Sequence, residues 1–394
     1  MKSKEALFFV STLTSAFVPV LGSCSGKKSG SAVVAGTVPF LAQDYSKGAV
    51  VYSYDVAKNE VTQIRVAEGN QDWKVFWDQT SQQTVVIDRT VASSTSASVI
   101  TSYLGANVSG EVGGFPINTK FLIHSAAANT LIAGGYTGGT ATFSLPTNRL
   151  QAVSSMNFPT GDGSTYYHNV VGLISGEKDV WALFGGTDSA SPPNVYPAAV
   201  SKINLAASSF ENVSTVTACL NIASGTPLPN EGVVALSRSR VVVSCNPQYG
   251  VLGAPIALVL FEANSTTAEV QVTVLKQAKS SADIHQYEIS GSSADGNSVF
   301  VEEKIFDGSD FSTETRRRYW LNVLTHAETP VTQYGGHMFY DVTSGKYLFG
   351  CYIEKDTGKC RSHTFALVTP GNDNPEARSV SYEYDFHGFA EQIR

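Results

Sequence analysis

Apolar and polar residues alternate along this chain in short runs, and the runs come in pairs joined by tight turns. One phrase reads strand, turn, strand, in LIHSAAANTLIAGG (122–135), LISGEKDVWALFGG (173–186), VALSRSRVVVSC (234–245) and YDVTSGKYLFGC (340–351). A second phrase completes it, in VVYSYDVAKNEVTQI (50–64), ATFSLPTNRLQAV (141–153), VSKINLAASSFENV (200–213) and LVLFEANSTTAEVQV (258–272). Together they form a loose repeat of about fifty residues with four strands, a unit that cannot close its own core and must stack on copies of itself. No window keeps a helical period, so the chain is expected to be all-β.

Strands lettered A to D from inner to outer place the C-strands near residues 49, 98, 140, 196, 255, 318 and 363. The clearest unit has A at 169–174, B at 179–185, C at 196–204 and D at 210–216. Residues Val38 to Val66 supply only B, C and D, and the missing A-strand is assigned to Gly388–Ile393. The expected fold is thus a seven-bladed β-propeller of four-stranded blades, closed by N- and C-terminal segments sharing one blade, which leaves no open sheet edge around the ring. A string of β-sandwich domains fits less well, because fifty-residue units are too short for them.

The units resemble kelch repeats. Gly134-Gly135 and Gly185-Gly186 end B-strands, and Tyr52-Ser53-Tyr54-Asp55 is followed by Asn59. The pattern departs where kelch blades carry an early D-strand Trp, since Val61, Leu150 and Phe210 stand there, and where Ser244-Cys245 and Gly350-Cys351 replace the glycine pair. The resemblance implies an architecture and does not select a function, since kelch propellers include protein binders and a copper oxidase.

The N-terminus bears on compartment. Lys2 and Lys4 precede an apolar stretch, Ala6 to Leu21, which is short and broken by Ser and Thr and reads as a signal peptide over 1–23. Leu21-Gly22-Ser23-Cys24 resembles the lipobox of bacterial lipoproteins, which implies lipidation at Cys24, a flexible tether over 24–36 and a single domain over 37–394. The implied destination is the cell envelope, with Ser25 favouring the outer membrane; the alternative is plain secretion with an incidental Cys24. The sequons at Asn107, Asn212 and Asn264 discriminate little in a chain so rich in Asn, Ser and Thr.

Charge narrows the partners. Charged residues make up 15% of the 394, the net charge is −7, and no basic face is visible, which argues against nucleic acid. No second apolar stretch could span a membrane, so membrane association would come through a lipid anchor alone, and a monomer is expected. Apart from Cys24 there are four cysteines, an even number that suits two disulfides in an exported chain. Cys351 and Cys360 flank a turn-like Asp356-Thr357-Gly358, which leaves Cys219 to Cys245; buried free thiols are the alternative.

Function is expected on one face. The B–C loops at 88–98, 185–197, 246–255 and 304–318 are long, while the A–B connections are short, and all four cysteines fall on the loop-rich face. Four of the seven histidines, His168, His285, His337 and His387, are expected just before A-strands, where Asp72, Lys120 and Glu231 occupy the same register. These positions would ring the channel mouth. Neutral imidazoles near Glu231 or Asp72 could bind a divalent transition metal or supply a general base. Such a mouth is similar to that of metal-dependent lyases built on propellers; the plainer alternative is histidines bonded to backbone or water. Arg316 and Arg317, beside Arg318 and Trp320, could dock a carboxylate, or simply be a solvated loop edge. Linear motifs for a serine nucleophile, a zinc protease, a phosphate loop or a dinucleotide fold are absent. Three functions remain: a module binding protein or glycan, a metal-dependent lyase or hydrolase, and a structural envelope component.

Overall fold

A computed structural model describes residues 36–393 except 80, 91–97, 116–118, 126–129, 136–139, 145–148, 152–168, 186–196, 205–206, 208, 221–231, 246–254, 265, 280–283 and 308–313. For 98, 112–170, 209, 212–213, 255 and 279 the description, where given, is of backbone only. Every regular element among the described residues is a β-strand.

The strands form seven sheets, six of four strands and one of five. Blade 1 runs, from inner to outer strand, Asp385–Phe389, Thr37–Asp44, Gly48–Asp55 and Glu60–Glu68. Blade 2 has Trp73–Asp78, Gln83–Asp88, Ser98–Leu104 and Asn107–Phe115, and blade 3 has Thr119–Ser125, Thr130–Gly135, Thr140–Ser144 and Arg149–Gln151. Blade 4 comprises Asn169–Ser175, Val180–Gly185, Pro197–Asn204 and Ser209–Leu220, and blade 5 Val233–Ser237, Arg240–Cys245, Pro255–Asn264 and Glu269–Lys279. Blade 6 contains Ile284–Ser292, Ser298–Phe306, Glu314–Asn322 and Glu328–Val331, and blade 7 Tyr334–Asp341, Lys346–Tyr352, Thr364–Val368 and Glu376–Ser379. Consecutive blades touch in order, and blade 7 packs back onto the inner strand of blade 1, so the ring closes.

Closure differs in detail from the expectation. The strand that completes blade 1 is Asp385–Phe389, and it pairs antiparallel with Thr37–Asp44. Glu391–Ile393, expected in the same strand, instead pairs parallel with Trp73–Asp78 as a fifth strand of blade 2. Ala390 is the link, its N–H donating to Pro39 O at 2.9 Å. The C-terminus therefore ties blades 1 and 2, and the Gln392 amide donates to Tyr340 O of blade 7 at 2.8 Å.

The blades stick together through both faces of their strands. Along the second strand of blade 5, Val241 and Val243 pack toward blade 4 while Val242 packs toward blade 6. Period-2 alternation explains the split, because successive side chains leave opposite faces of a sheet. In blade 6 the same alternation sends Val299 and Val301 toward blade 5 and Phe300 toward blade 7.

Turn chemistry repeats as well. The amide of Asn59 donates to Asp55 O, Ala268 to Asn264 O and His326 to Asn322 O, each closing the turn between third and outer strands. In all three the last residue takes a positive φ, and the opening Asp or Asn side chain accepts amides two and three residues on. Short Asx side chains mimic a backbone turn in this way.

Candidate functional site

The second strand of blade 6 departs from the apolar rule. Its sequence is SVFVEEKIF, and Glu302 and Glu303 are 6% and 3% exposed. Alternation sends the two carboxylates to opposite faces of the blade, where each must find cations or lose its charge. The neighbouring third strand supplies them: Arg318 pairs in register with Glu302, Arg317 with Glu303 and Arg316 with Lys304.

On the face toward blade 5, Glu303 Oε2 lies 3.3 Å from Lys276 Nζ and 3.2 Å from Arg317 Nη1. Lys276 also donates to the Tyr319 hydroxyl at 2.8 Å and to Glu328 at 2.6 Å, and Arg317 reaches Glu328 at 3.2 Å. His285 Nε2 stands 3.2 Å from Glu303 Oε1, at ion-pair distance but outside hydrogen-bond geometry. Burial and the Glu303 charge push the phenols of Tyr287 and Tyr319 well above their usual range. This network is closely knit and holds blades 5 and 6 together.

The face toward blade 7 is different, because it holds an open-mouthed cavity of about 160 Å³. Glu302, Lys304, Arg318 and His337 line it, with Glu288 and Arg316, and the Cys351–Cys360 disulfide forms part of the wall. Glu302 Oε1 accepts the Gly336 amide at 2.5 Å and lies 3.3 Å from Arg318 Nε. Lys304 is paired with Glu288, and Arg316 donates to Glu314 at 3.0 Å. Three polar atoms of lining residues are buried without a hydrogen-bond partner: Arg318 Nε, His337 Nδ1 and Ser290 Oγ.

His337 reaches the cavity through a bulge. Pairing between the first two strands of blade 7 skips from Gly335–Cys351 to Met338–Phe349, and Gly336 takes a φ of 76° that favours glycine. Burial, reinforced by His387 and Lys304, holds the His337 imidazole down to about 4, so it is neutral at pH 7. His387 also occupies a bulge, being the residue skipped where Leu41 pairs with Gly388 and Ala42 with Phe386. Inner-strand bulges recur in every blade but the second, and Lys120 sits at the one in blade 3.

The sequence-derived candidates are dispersed. His285, His337 and His387 lie within inner strands and not before them, because strand pairing starts earlier than the apolar runs suggest. His285 faces blade 5 and His337 faces the blade 6–7 cavity. His168, Glu231 and Cys24 fall outside the described residues, as do most of the long B–C loops, and Lys120 is described by its backbone alone. Among the described residues no group of three His, Cys, Asp or Glu side chains is arranged to hold a metal ion. Asp72 pairs with Arg89 at 2.5 Å, and Trp320 packs against Phe300 and Tyr347 with its indole N–H 3.3 Å from the Tyr334 hydroxyl. Arg316 and Arg317 belong to a strand and to ion-pair networks on opposite faces of blade 6, not to a loop edge.

Glu302, Glu303, Lys304 and Glu288 were not singled out from the sequence. Their signal was the charged triplet Glu302-Glu303-Lys304 inside an otherwise apolar strand, opposite the Arg316-Arg317-Arg318 run. Both cysteine pairs close as expected, Cys219 to Cys245 and Cys351 to Cys360, in keeping with an oxidising environment.

No protein-family model matches the chain, and no curated protein matches it. Among solved structures it is similar to the Swd1 β-propeller domain of Myceliophteria thermophila, at 9% identity over 88% of this chain and 98% of that one, with a TM-score of 0.49. It is also similar to an oligogalacturonate lyase from Vibrio parahaemolyticus, at 10% identity over 89% and 86% of the two chains and a TM-score of 0.49. An oligogalacturonate lyase in complex with manganese gives 10% identity, 88% and 85% coverage, and again 0.49. Likenesses this distant assign no activity. The strand order and the closed sequence of blade contacts carry the fold themselves: the chain is an all-β propeller, and its described residues form seven sheets.

Proposed function

We propose that this chain is an exported, lipid-anchored binding module that holds a protein or glycan ligand through its loop-rich face. The observation that carries the reading is the cavity between blades 6 and 7, beside the Cys351–Cys360 staple on that face. A rigid ring with a polar recess between two blades is a common form of binding site, and the disulfide restrains the loop bordering it. The leader and Cys24 supply the export and anchoring parts of the proposal.

The test is a binding survey of soluble glycans and proteins against the mature domain, repeated with two charge reversals. Arg316→Glu lies at the cavity mouth, and Lys58→Glu lies in a turn between third and outer strands, on the opposite face. Ligands should be lost with the first and kept with the second; the reverse pattern would sink the assignment. Mass spectrometry of the protein from a bacterial membrane fraction should find a lipid on Cys24 that disappears in Cys24→Ser.

A second reading, metal-dependent lyase or hydrolase chemistry at the channel mouth, draws on one observation. His337 and His387 stand at the inner-strand bulges of the adjoining blades 7 and 1. Metal analysis of the wild type and of His337→Gln and His387→Gln decides it, since stoichiometric metal lost in both variants is required.

A further inference from the structure

We propose that the cavity between blades 6 and 7 is a site for a small monocarboxylate, bound by Arg318, Lys304 and His337. This deepens the binding-module reading and rests on it. Two features point to an acceptor ligand. The first is unused donor capacity. Arg318 makes no hydrogen bond among the described residues, its Nε being 3.3 Å from Glu302 without hydrogen-bond geometry, and His337 Nδ1 is buried and unpartnered. A buried donor such as Arg318 Nε is costly without an acceptor, His337 Nδ1 is a second donor in the tautomer that places the proton there, and a ligand oxygen is a direct remedy. A water could occupy part of the space, but 160 Å³ is about five times one water's share of the liquid, room for a small organic group.

The second feature is the charge balance. Three cationic heads, Lys304, Arg316 and Arg318, face two carboxylates, Glu288 and Glu302, across the lining. Glu314, just outside the wall, holds Arg316, and Glu288 holds Lys304, so charges balance and Arg318 is the cation of the three that has no hydrogen-bonded carboxylate among the described residues. A monovalent anion adds one negative charge to a recess already holding two carboxylates, whereas a phosphate dianion adds two and is disfavoured. Planar carboxylate oxygens also suit a guanidinium, which presents parallel N–H bonds. Glu302 and its bond from the Gly336 amide fix the floor, so the donors stand ready before the ligand arrives.

The depth of the recess sets the kind of ligand. Arg316 is 42% exposed and Cys360 is exposed, so they mark the mouth, while Glu302 at the floor is buried. A carboxylate carried on a single sugar ring or an amino-acid-sized body can enter head first and leave the remainder at the loop-rich face.

The experiment is isothermal titration of the folded mature protein with D-glucuronate and N-acetylglycine, alongside glucose and inorganic phosphate. Both carboxylates should bind, the sugar acid and the acylated amino acid reporting which body the mouth prefers, and glucose and phosphate should bind more weakly or not at all. Arg318→Gln should weaken the carboxylates about tenfold to a hundredfold, the range for losing a charge-assisted bond. Lys304→Met is the companion variant, and thermal melts of both establish that the fold persists. The proposal is overturned if neither carboxylate binds, if glucose or phosphate binds as tightly, or if both folded variants retain wild-type affinity. A macromolecular ligand found in the survey that excess glucuronate and N-acetylglycine fail to displace would keep the binding-module reading and remove this one.

Discussion

Gly350 shows how one missing side chain lets two blades meet. A Cβ there would lie 2.2 Å from Cε1 of Phe386, on the inner strand of blade 1, so the ring needs the space the glycine leaves. Gly350→Ala should therefore destabilise the protein by about 1–3 kcal/mol, the usual cost of overpacking, as read from chemical denaturation midpoints. His337 makes a second residue-scale prediction. Its imidazole is held down to about 4 when folded, against 6.5 unfolded, so below pH 6.5 the unfolded chain takes up a proton that the folded one refuses. The stability associated with the neutral ring is complete above that pH and is lost progressively as pH falls toward 4. Denaturation midpoints of His337→Gln, compared with wild type across this window, should show the shallower acid slope. Identical slopes would mean that the ring titrates normally.

At the scale of elements, the second strand of blade 6 is where burial and charge conflict. Its partners come from strands that the chain places close by: Arg317 one hairpin away and Lys276 on the outer strand of blade 5. Glu303→Leu removes the hub and leaves Lys276 and Arg317 sharing Glu328. Both cations are partly exposed, so the loss should fall below the ~3–5 kcal/mol of a fully buried pair, at about 1–3 kcal/mol. Glu303→Gln should recover part of it, because an amide oxygen still accepts from Tyr319. Urea denaturation of the two variants checks this, and a neutral Glu303→Leu would show that the network contributes nothing net. The strands themselves were legible, since Val, Phe and Tyr alternation and Asx turns are local signals. The Glu303 network was not, because a charged triplet in a strand says nothing of the blade on either side.

For the whole molecule, closure is the decisive event. Asp385–Phe389 completes blade 1 and Glu391–Ile393 extends blade 2, with Lys74 bound to Glu391 at 2.7 Å. Deleting residues 391–394 should lower the melting temperature while leaving a cooperative transition. Deleting 385–394 should abolish it, because Thr37–Asp44 then loses its inner neighbour and the core shared by Phe40, Phe365 and Phe389 opens. Circular dichroism melts of the two truncations separate these outcomes; equal behaviour would mean that the ring is held by the fifth strand and not by the shared blade.

What the chain's own pattern determined is everything that repeats: strand period, turn residues and four strands per blade. These follow from steric and hydrogen-bonding preferences acting over a few residues, multiplied by repetition. The tertiary structure alone decided which faces the singular residues take. Bulges turn His337 and His387 by one register step, and alternation parts Glu302 from Glu303, so residues adjacent in sequence serve different interfaces. The histidines that share a register in the sequence accordingly point to different neighbours, His285 to Glu303 and His337 to the cavity. The physical reason is that a side chain's surroundings in a propeller come from the next blade, about fifty residues away, where no local preference reaches.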